Sequence, residues 1–344
     1  MKRGKMNKRY FVALLVCLVL ILSACKGKSG AATGGAPRTP FIGGSLGVTL
    51  DFEKDSPPPE VTDDQSFPFN VIVRLKNEGE TTVNRNDIRL NLMGFDPNDF
   101  GKSFDDLRDV QPEDDLQAKK RDAEGNIVDG TTTFATFPKD NSQFEPTKFP
   151  GNTELTFRAD ACYFYHTEAD TKICGLRDMI NVRDDAICRP TEGRPVYDSS
   201  GPVQVTNFRQ SVVGKDKISF SFDLVLSNSV DIFFDGKTET TPASGFDAAC
   251  PRNPRDRREK ENNVEVEIVE IPTDPVFTNL KCGGLDNSFK GTVKLIGGRR
   301  TIVCTVELVQ DRNDFEKPMA INLKYNVLDT KETRILVKHL ANAP

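Results

Sequence analysis

Residues 69–77 read FNVIVRLKN. Phe69, Val71, Val73 and Leu75 alternate with Asn70, Ile72, Arg74 and Lys76, and Asn77-Glu78-Gly79 follows as a turn. A period of two places one row of side chains on a core and the other toward solvent, which is a half-buried strand rather than a helix. Residues 220–226 (FSFDLVL) repeat the pattern with Phe220, Phe222, Leu224 and Leu226 inward and Asn228 beyond. The same alternation recurs along most of the chain. Only residues 99–116 offer a short helical stretch. The expected fold class is therefore all-β.

The two strands also match each other. At an offset of 151, Phe69 falls on Phe220, Leu75 on Leu226 and Asn77 on Asn228. Further on, residues 163–173 (YFYHTEADTKI) fall on 325–335 (YNVLDTKETRI) at an offset of 162. Each of these reads as strand, short polar turn, strand, meaning a closing hairpin. Two ordered matches indicate duplication of one β-unit. Short strands at this spacing predict two tandem antiparallel β-sandwiches of Ig-like type, at 43–175 and 201–340, joined by a polar linker at 176–200.

The N-terminus carries an address. Lys2, Arg3, Lys5, Lys8 and Arg9 precede an apolar run from Phe11 to Leu22, and Leu22-Ser23-Ala24-Cys25 closes it. A basic start followed by so short an apolar run is a secretory signal, expected here over residues 1–24. Residues 25–42 are rich in Gly, Ala, Ser, Thr and Pro without apolar periodicity, and read as a flexible tether. The five basic residues of the signal, taken from 46 Lys and Arg, leave 41 against 51 acids, a mature charge of about −10. That balance argues against nucleic acid as a partner. The 23 Phe, with no Trp, supply enough apolar mass for real cores.

Of eight Cys, Cys17 lies in the signal and Cys25 at its end. The remaining six, Cys162, Cys174, Cys188, Cys250, Cys282 and Cys304, form an even set in an exported chain, which reads as three disulfides. Cys282 and Cys304 flank a strand pair and are expected to bond. For the others two pairings stay open. Either Cys162 joins Cys174 across the hairpin and Cys188 joins Cys250, or Cys174 joins Cys188 and Cys162 joins Cys250. No Cys-x-x-Cys pair occurs and only two His exist, His166 and His339, so no metal site and no cofactor is expected.

Few residues point to chemistry. Asp96, Asp99, Asp105, Asp106, Asp109, Glu113, Asp114 and Asp115 crowd one insertion, where Ca²⁺ ligation competes with a solvated loop, and the EF-hand spacing is absent. Arg252, Arg255, Arg257, Arg258 and Lys260 follow Cys250 and offer an anion contact, against partial neutralisation by Asp256, Glu259 and Glu261. His166 reads as an exposed turn residue. Tyr163, Phe164, Tyr165 and Tyr325 read as packing rather than a binding surface. No nucleophile elbow, zinc-protease helix, phosphate loop or dinucleotide glycine pattern is present, so no catalytic residue is assigned and the chain is not expected to be an enzyme.

The Leu-Ser-Ala-Cys ending resembles the lipobox of prokaryotic lipoproteins. That resemblance implies diacylglyceryl modification of Cys25 and a mature chain beginning there, held at the outer face of the cell membrane. Pro57-Pro58-Pro59-Glu60-Val61, Asn77-Glu78-Gly79, Gly94-Phe95-Asp96-Pro97, Cys162-Tyr163-Phe164-Tyr165-His166-Thr167 with Cys174, residues 201–206, and the Cys282 and Cys304 pair resemble uncharacterised exported proteins of DPANN-type archaea. The fold implied is tandem Ig-like sandwiches at the cell surface, with no activity to carry over. The expected function is a non-enzymatic, lipid-anchored surface role in structure, adhesion or cell contact, with a protein or glycan partner. Capture of a glycan or solute ligand is the alternative.

Overall fold

The computed structural model describes residues 39–236, 240–286 and 289–340; the signal, Cys25 and most of the tether lie outside them. Where the sequence alternates, strands form. The first half contains β1 (Val48–Phe52), β2 (Glu60–Thr62), β3 (Val71–Asn77), β4 (Ile88–Met93), β5 (Lys120–Arg121), β6 (Ile127–Val128), β7 (Thr132–Phe137) and β8 (Thr153–Gly175). Next come β9 (Tyr197–Asp198), β10 (Val203–Gly214), β11 (Lys217–Leu226), β12 (Asp231–Phe233) and β13 (Asn263–Ile268). The chain closes with β14 (Phe277–Cys282), β15 (Lys290–Lys294), β16 (Arg299–Leu308) and β17 (Phe315–Lys338). The fold is all-β, and helix is confined to short turns of which Pro254–Lys260 is the longest described.

The expected hairpins at 163–173 and 325–335 do not form. Each segment lies inside one unbroken strand: β8 runs for 23 residues and β17 for 24. At about 3.3 Å per residue each spans roughly 75 Å. The polar run at 167–172 resembles a turn in sequence because it carries no large apolar side chain. In the structure Thr167, Ala169 and Thr171 are buried while Glu168, Asp170 and Lys172 face outward, so strict alternation continues through it.

The two long strands are antiparallel neighbours from Phe315 opposite Gly175 to Val337 opposite Thr153. One eight-stranded sheet, ordered β15-β13-β17-β8-β4 with β2, β9 and β12 attached, therefore draws strands from both halves. This corrects the expected boundary. Residues 43–175 and 201–340 do not fold as separate bodies, and from Pro40 onward the chain is one compact unit. A single apolar core joins Val71, Val73 and Phe137 of the first half to Phe220, Phe222 and Ile302 of the second.

The duplication is nonetheless visible in the strand order. β3 lies between β1 and β7 in a three-stranded sheet; β11 lies between β10 and β16 in a four-stranded sheet that ends in β14. β4 pairs with β8 over Arg158–Tyr163, and β13 pairs with β17 over Ile321–Lys324. Each small sheet thus precedes a long strand that carries an equivalent partner. Phe164 and Asn326, equivalent at the 162-residue offset, stand directly opposite one another. A self-paired position of this kind marks the centre of a local twofold relation between the halves.

The expected helical stretch at 99–116 is broken into two 3₁₀ turns, Pro97–Phe100 and Asp105–Leu107. Val110 and Leu116 then bridge to Leu90 and Val83, and those edge contacts outweigh helix formation. Behind the turns Phe69, Phe95, Phe100, Phe144 and Phe157 pack ring against ring, with centroids from 3.9 Å to 6.5 Å apart. Asn77 makes the turn after β3: its side chain accepts from the Gly79 N–H at 2.9 Å and donates to the Thr81 and Leu116 carbonyls. Gly79 must lack a side chain, because a Cβ there would lie 1.9 Å from the Tyr165 hydroxyl.

Polar closure of the core is concentrated at Tyr325, which is fully buried. Its hydroxyl lies 2.7 Å from Thr167 Oγ1 and accepts from the Val203 N–H at 3.2 Å. Tyr325→Phe leaves both partners buried and unpaired, and is expected to cost about 1–3 kcal/mol. Urea denaturation with the disulfides intact reads this as a lowered midpoint at unchanged slope.

Candidate functional site

The described cysteines form three disulfides: Cys162–Cys250, Cys174–Cys188 and Cys282–Cys304. The Cys282–Cys304 expectation holds, across the β14–β16 pair. Of the two open pairings the second is realised. Cys162 and Cys174 lie twelve positions apart on the same continuous strand, so about 40 Å of extended backbone separates them. Cys174–Cys188 instead folds the start of the 176–200 segment back onto β8. Cys162–Cys250 ties the loop before the Pro254–Lys260 helix to the long strands, where Phe233, Phe246 and Leu328 complete a small second core. Three closed disulfides place the protein in an oxidising, extracellular-type environment. Among the described residues no helix is long and apolar enough to cross a membrane. Cys25, the expected lipidation site, lies outside the described residues.

The basic segment after Cys250 is a capped helix rather than a loop. Asn253 accepts from the Arg255 N–H at 2.9 Å, and Pro254 occupies the first turn. Two of the four expected anion contacts face the body. Arg252 stacks over Phe246 with its guanidinium carbon 4.5 Å from the ring centre, and its Nη2 lies 3.3 Å from Asp160. Arg257 bridges Asp231 at 2.8 Å and Glu261 at 2.7 Å. Arg255 and Arg258 remain on the surface. The four arginines therefore do not converge on one point.

The acidic insertion is likewise dispersed. Asp96 caps the 3₁₀ turn through the Asn98 N–H, Asp106 accepts from Ser103, and Asp115 accepts from the Arg85 N–H. Asp109 accepts from the Phe246 N–H at 2.7 Å. No group of three or more His, Cys, Asp or Glu among the described residues is arranged to hold a metal ion. His166 is not in a turn. It stands mid-strand on the outer row of β8, with Nε2 3.5 Å from Glu168, and burial lowers its pKa against the opposing pull of Glu168. Tyr163, Tyr165 and Tyr325 are core residues, and burial pushes their hydroxyl pKa values up.

Three carboxylates hold the chain ends and edges. Asp63, buried, accepts from the Leu340 N–H at 2.9 Å, lies 2.7 Å from His339 Nδ1 and accepts from the Phe149 N–H at 3.0 Å; these bonds hold its pKa down to about 2. At Asp223 burial pushes upward, but Thr301, Arg299 and Asn207 together hold the pKa down to about 2. Asp198 runs the other way: burial raises it to about 6, against one N–H from Val205.

A groove of about 480 Å³ on the outer face of the large sheet, beside Asp170, Lys172 and Tyr197, was not read from the sequence. Its sequence signal is the outward row Glu168, Asp170, Lys172, which lies within the run expected to be a turn. A larger groove of about 620 Å³ lies on the small sheet, walled by Ser211, Ser219, Ser221 and Val303.

No protein-family model matches the chain, and no curated protein matches it. Sixteen chains of known structure match. One of them, titled "Biofilm associated protein - BSP domain", is similar at 9% identity with a TM-score of 0.14, covering 90% of this chain and 53% of that one. This chain thus spans about half the length of that structure.

Two outcomes follow from these bonds. In the chain-entropy relation, opening the 88-residue separation of Cys162–Cys250 costs roughly 4–5 kcal/mol, and opening the 14- and 22-residue separations about 3 kcal/mol each. Paired Cys→Ser variants compared by thermal unfolding are expected to rank in that order. Ionised Asp63 and Asp223 stabilise the fold fully above the ordinary aspartate value of 3.8, and that contribution disappears as pH falls toward about 2. Asp198 ionises more easily when unfolded, so rising pH removes stability between 3.8 and about 6. Urea midpoints across pH 2–7 for the wild type and Asp63→Asn check both limbs; Asp63→Asn flattens the acid one.

Proposed function

We propose that this protein is a lipid-anchored, non-enzymatic surface protein with a structural, adhesive or cell-contact role. One observation carries the reading: the two halves share a single sheet through the β8–β17 ladder, and all six described cysteines are closed into bonds, two of which fasten neighbouring segments to β8. In this reading the disulfides suit a body that works in an oxidising environment outside the cell. The lipobox-like ending at Cys25 supplies the anchor in this reading. Two acyl chains on that residue hold a protein at a membrane, because each buried methylene contributes about 0.8 kcal/mol. Residues 25–42 then act as a spacer between lipid and body, and edge strands and loops present the contact surface.

The test compares the wild type with Cys25→Ser in the native host. The wild type is expected in the membrane fraction, with a mature mass starting at Cys25 plus lipid and a gain of six hydrogens on reduction. Cys25→Ser is expected to lose the lipid mass and leave the cell envelope, and cell-cell or cell-surface attachment is expected to fall with it. An unlipidated wild type overturns the anchor. Unchanged attachment in cells that have shed the protein overturns the contact role.

A further inference from the structure

The groove on the outer face of the large sheet has the chemistry of a ligand site. Asp170 of β8 stands directly opposite Ala320 of β17 on one side and Tyr197 of β9 on the other. Facing side chains in such a row have Cβ atoms about 5 Å apart. Ala320 contributes only a methyl group, so the row dips between Asp170 and Glu270, whose Oε2 accepts the Ala320 N–H at 2.5 Å. In the adjacent row Lys172 faces Pro318. The hollow encloses about 480 Å³, within the roughly 300–1,000 Å³ of small-ligand sites.

Its polar groups are placed but not exhausted. The half-buried Asp170 carboxylate has no hydrogen bond or ion pair among the described residues. Burial, then the charges of Glu270 and Glu168, push its pKa above the usual range, as expected for a carboxylate with unmet partners. Lys172 gives one of its three N–H groups to Glu316 at 3.1 Å, and Glu316 is fixed in turn by Arg194 at 2.5 Å. Lys172 therefore retains donors beside the groove. Tyr197, 39% exposed, stands at the wall, with Pro195 and Pro318 adding apolar surface. Thr171 holds this wall in place by donating to the Pro195 carbonyl at 2.9 Å.

We infer that this groove binds a neutral saccharide, with one pyranose ring lying on Tyr197 and its hydroxyls shared between Asp170 and Lys172. A pyranose presents a C–H face for an aromatic ring and a rim of hydroxyls that both donate and accept. Asp170 takes the donated hydrogens and Lys172 supplies the acceptor contacts. An acidic sugar meets Asp170 and Glu270 and is repelled. A basic side chain meets Lys172 and is opposed there. The inference rests on the surface-contact reading for its biological setting, but the site itself does not involve the anchor.

Isothermal titration of the full chain, in a detergent without a sugar headgroup, separates the cases. The probes are cellobiose and N,N′-diacetylchitobiose, both with flat apolar ring faces, with glucuronate and argininamide as comparators. At least one neutral disaccharide is expected to bind in the millimolar range or tighter. Tyr197→Ala and Asp170→Asn are each expected to weaken it at least about tenfold, with the thermal midpoint unchanged. Lys172→Met is expected to weaken it while leaving Asp170 in place. No heat from either disaccharide at 20 mM overturns the inference, as does binding that survives both Tyr197→Ala and Asp170→Asn. Preference for argininamide overturns it in favour of a basic protein partner. A negative result here leaves the Cys25 experiment untouched, so the two readings fail separately.

Discussion

The pairing of β8 with β17 is the constraint on which the rest of the structure depends. Every residue from Thr153 to Gly175 meets a partner between Phe315 and Val337, so the first half finds its main sheet neighbour in the second. Closing a loop that long costs chain entropy before any contact is made, although the cost grows only slowly with length. The return is a ladder that buries Tyr163, Tyr165 and Tyr325 together and lets both small sheets pack on one core. Neither half has this arrangement without the other. Local duplication has been converted into a single body because the repeated long strands pair with each other rather than folding back on themselves.

The remaining stabilising devices act where that ladder would otherwise fray. Cys174–Cys188 clamps the chain as it leaves β8, and Cys162–Cys250 fastens the helical segment beside the ladder's centre. The Asp63 carboxylate gathers the Leu340 and Phe149 N–H groups and His339, securing the end of β17 beside β2. Buried Arg312 ties Asp216 to the Leu176 carbonyl, linking the β10–β11 turn to the segment after β8. A hydrogen-bonded carboxylate or guanidinium in such a place is costly to disturb, because removing one partner leaves a buried charge.

The outer face of the same ladder explains why a groove exists there. A long strand exposed on one side displays every second residue, and a small residue between larger ones leaves a hollow. Ala320, between Pro318 and Asn322 on β17, is that small residue. The outward placement of Asp170 and of exposed Tyr197 follows from the register, since a one-residue slip would turn both inward.

Period-two alternation alone established the all-β class and most strand positions, since it is a local property of side-chain direction. The closure of six cysteines into three disulfides and the Cys282–Cys304 bond were also legible, as were the two sequence offsets. What alternation cannot specify is the partner across the ladder. At 167–172 the inward positions are Thr, Ala and Thr, whose burial depends on a neighbouring strand 150 residues away, so the segment resembled a turn. A turn at that point implies two hairpins, a possible Cys162–Cys174 bond and separate sandwiches, whereas a continuous strand excludes all three and creates the Asp170 groove. Arg252 and Arg257 looked like a surface patch because sequence shows charge but not direction; Phe246, Asp160 and Asp231 turn them inward. Strand identity is set by neighbours in the chain, whereas strand pairing, disulfide partners and the groove are set by groups that only the tertiary fold brings within reach.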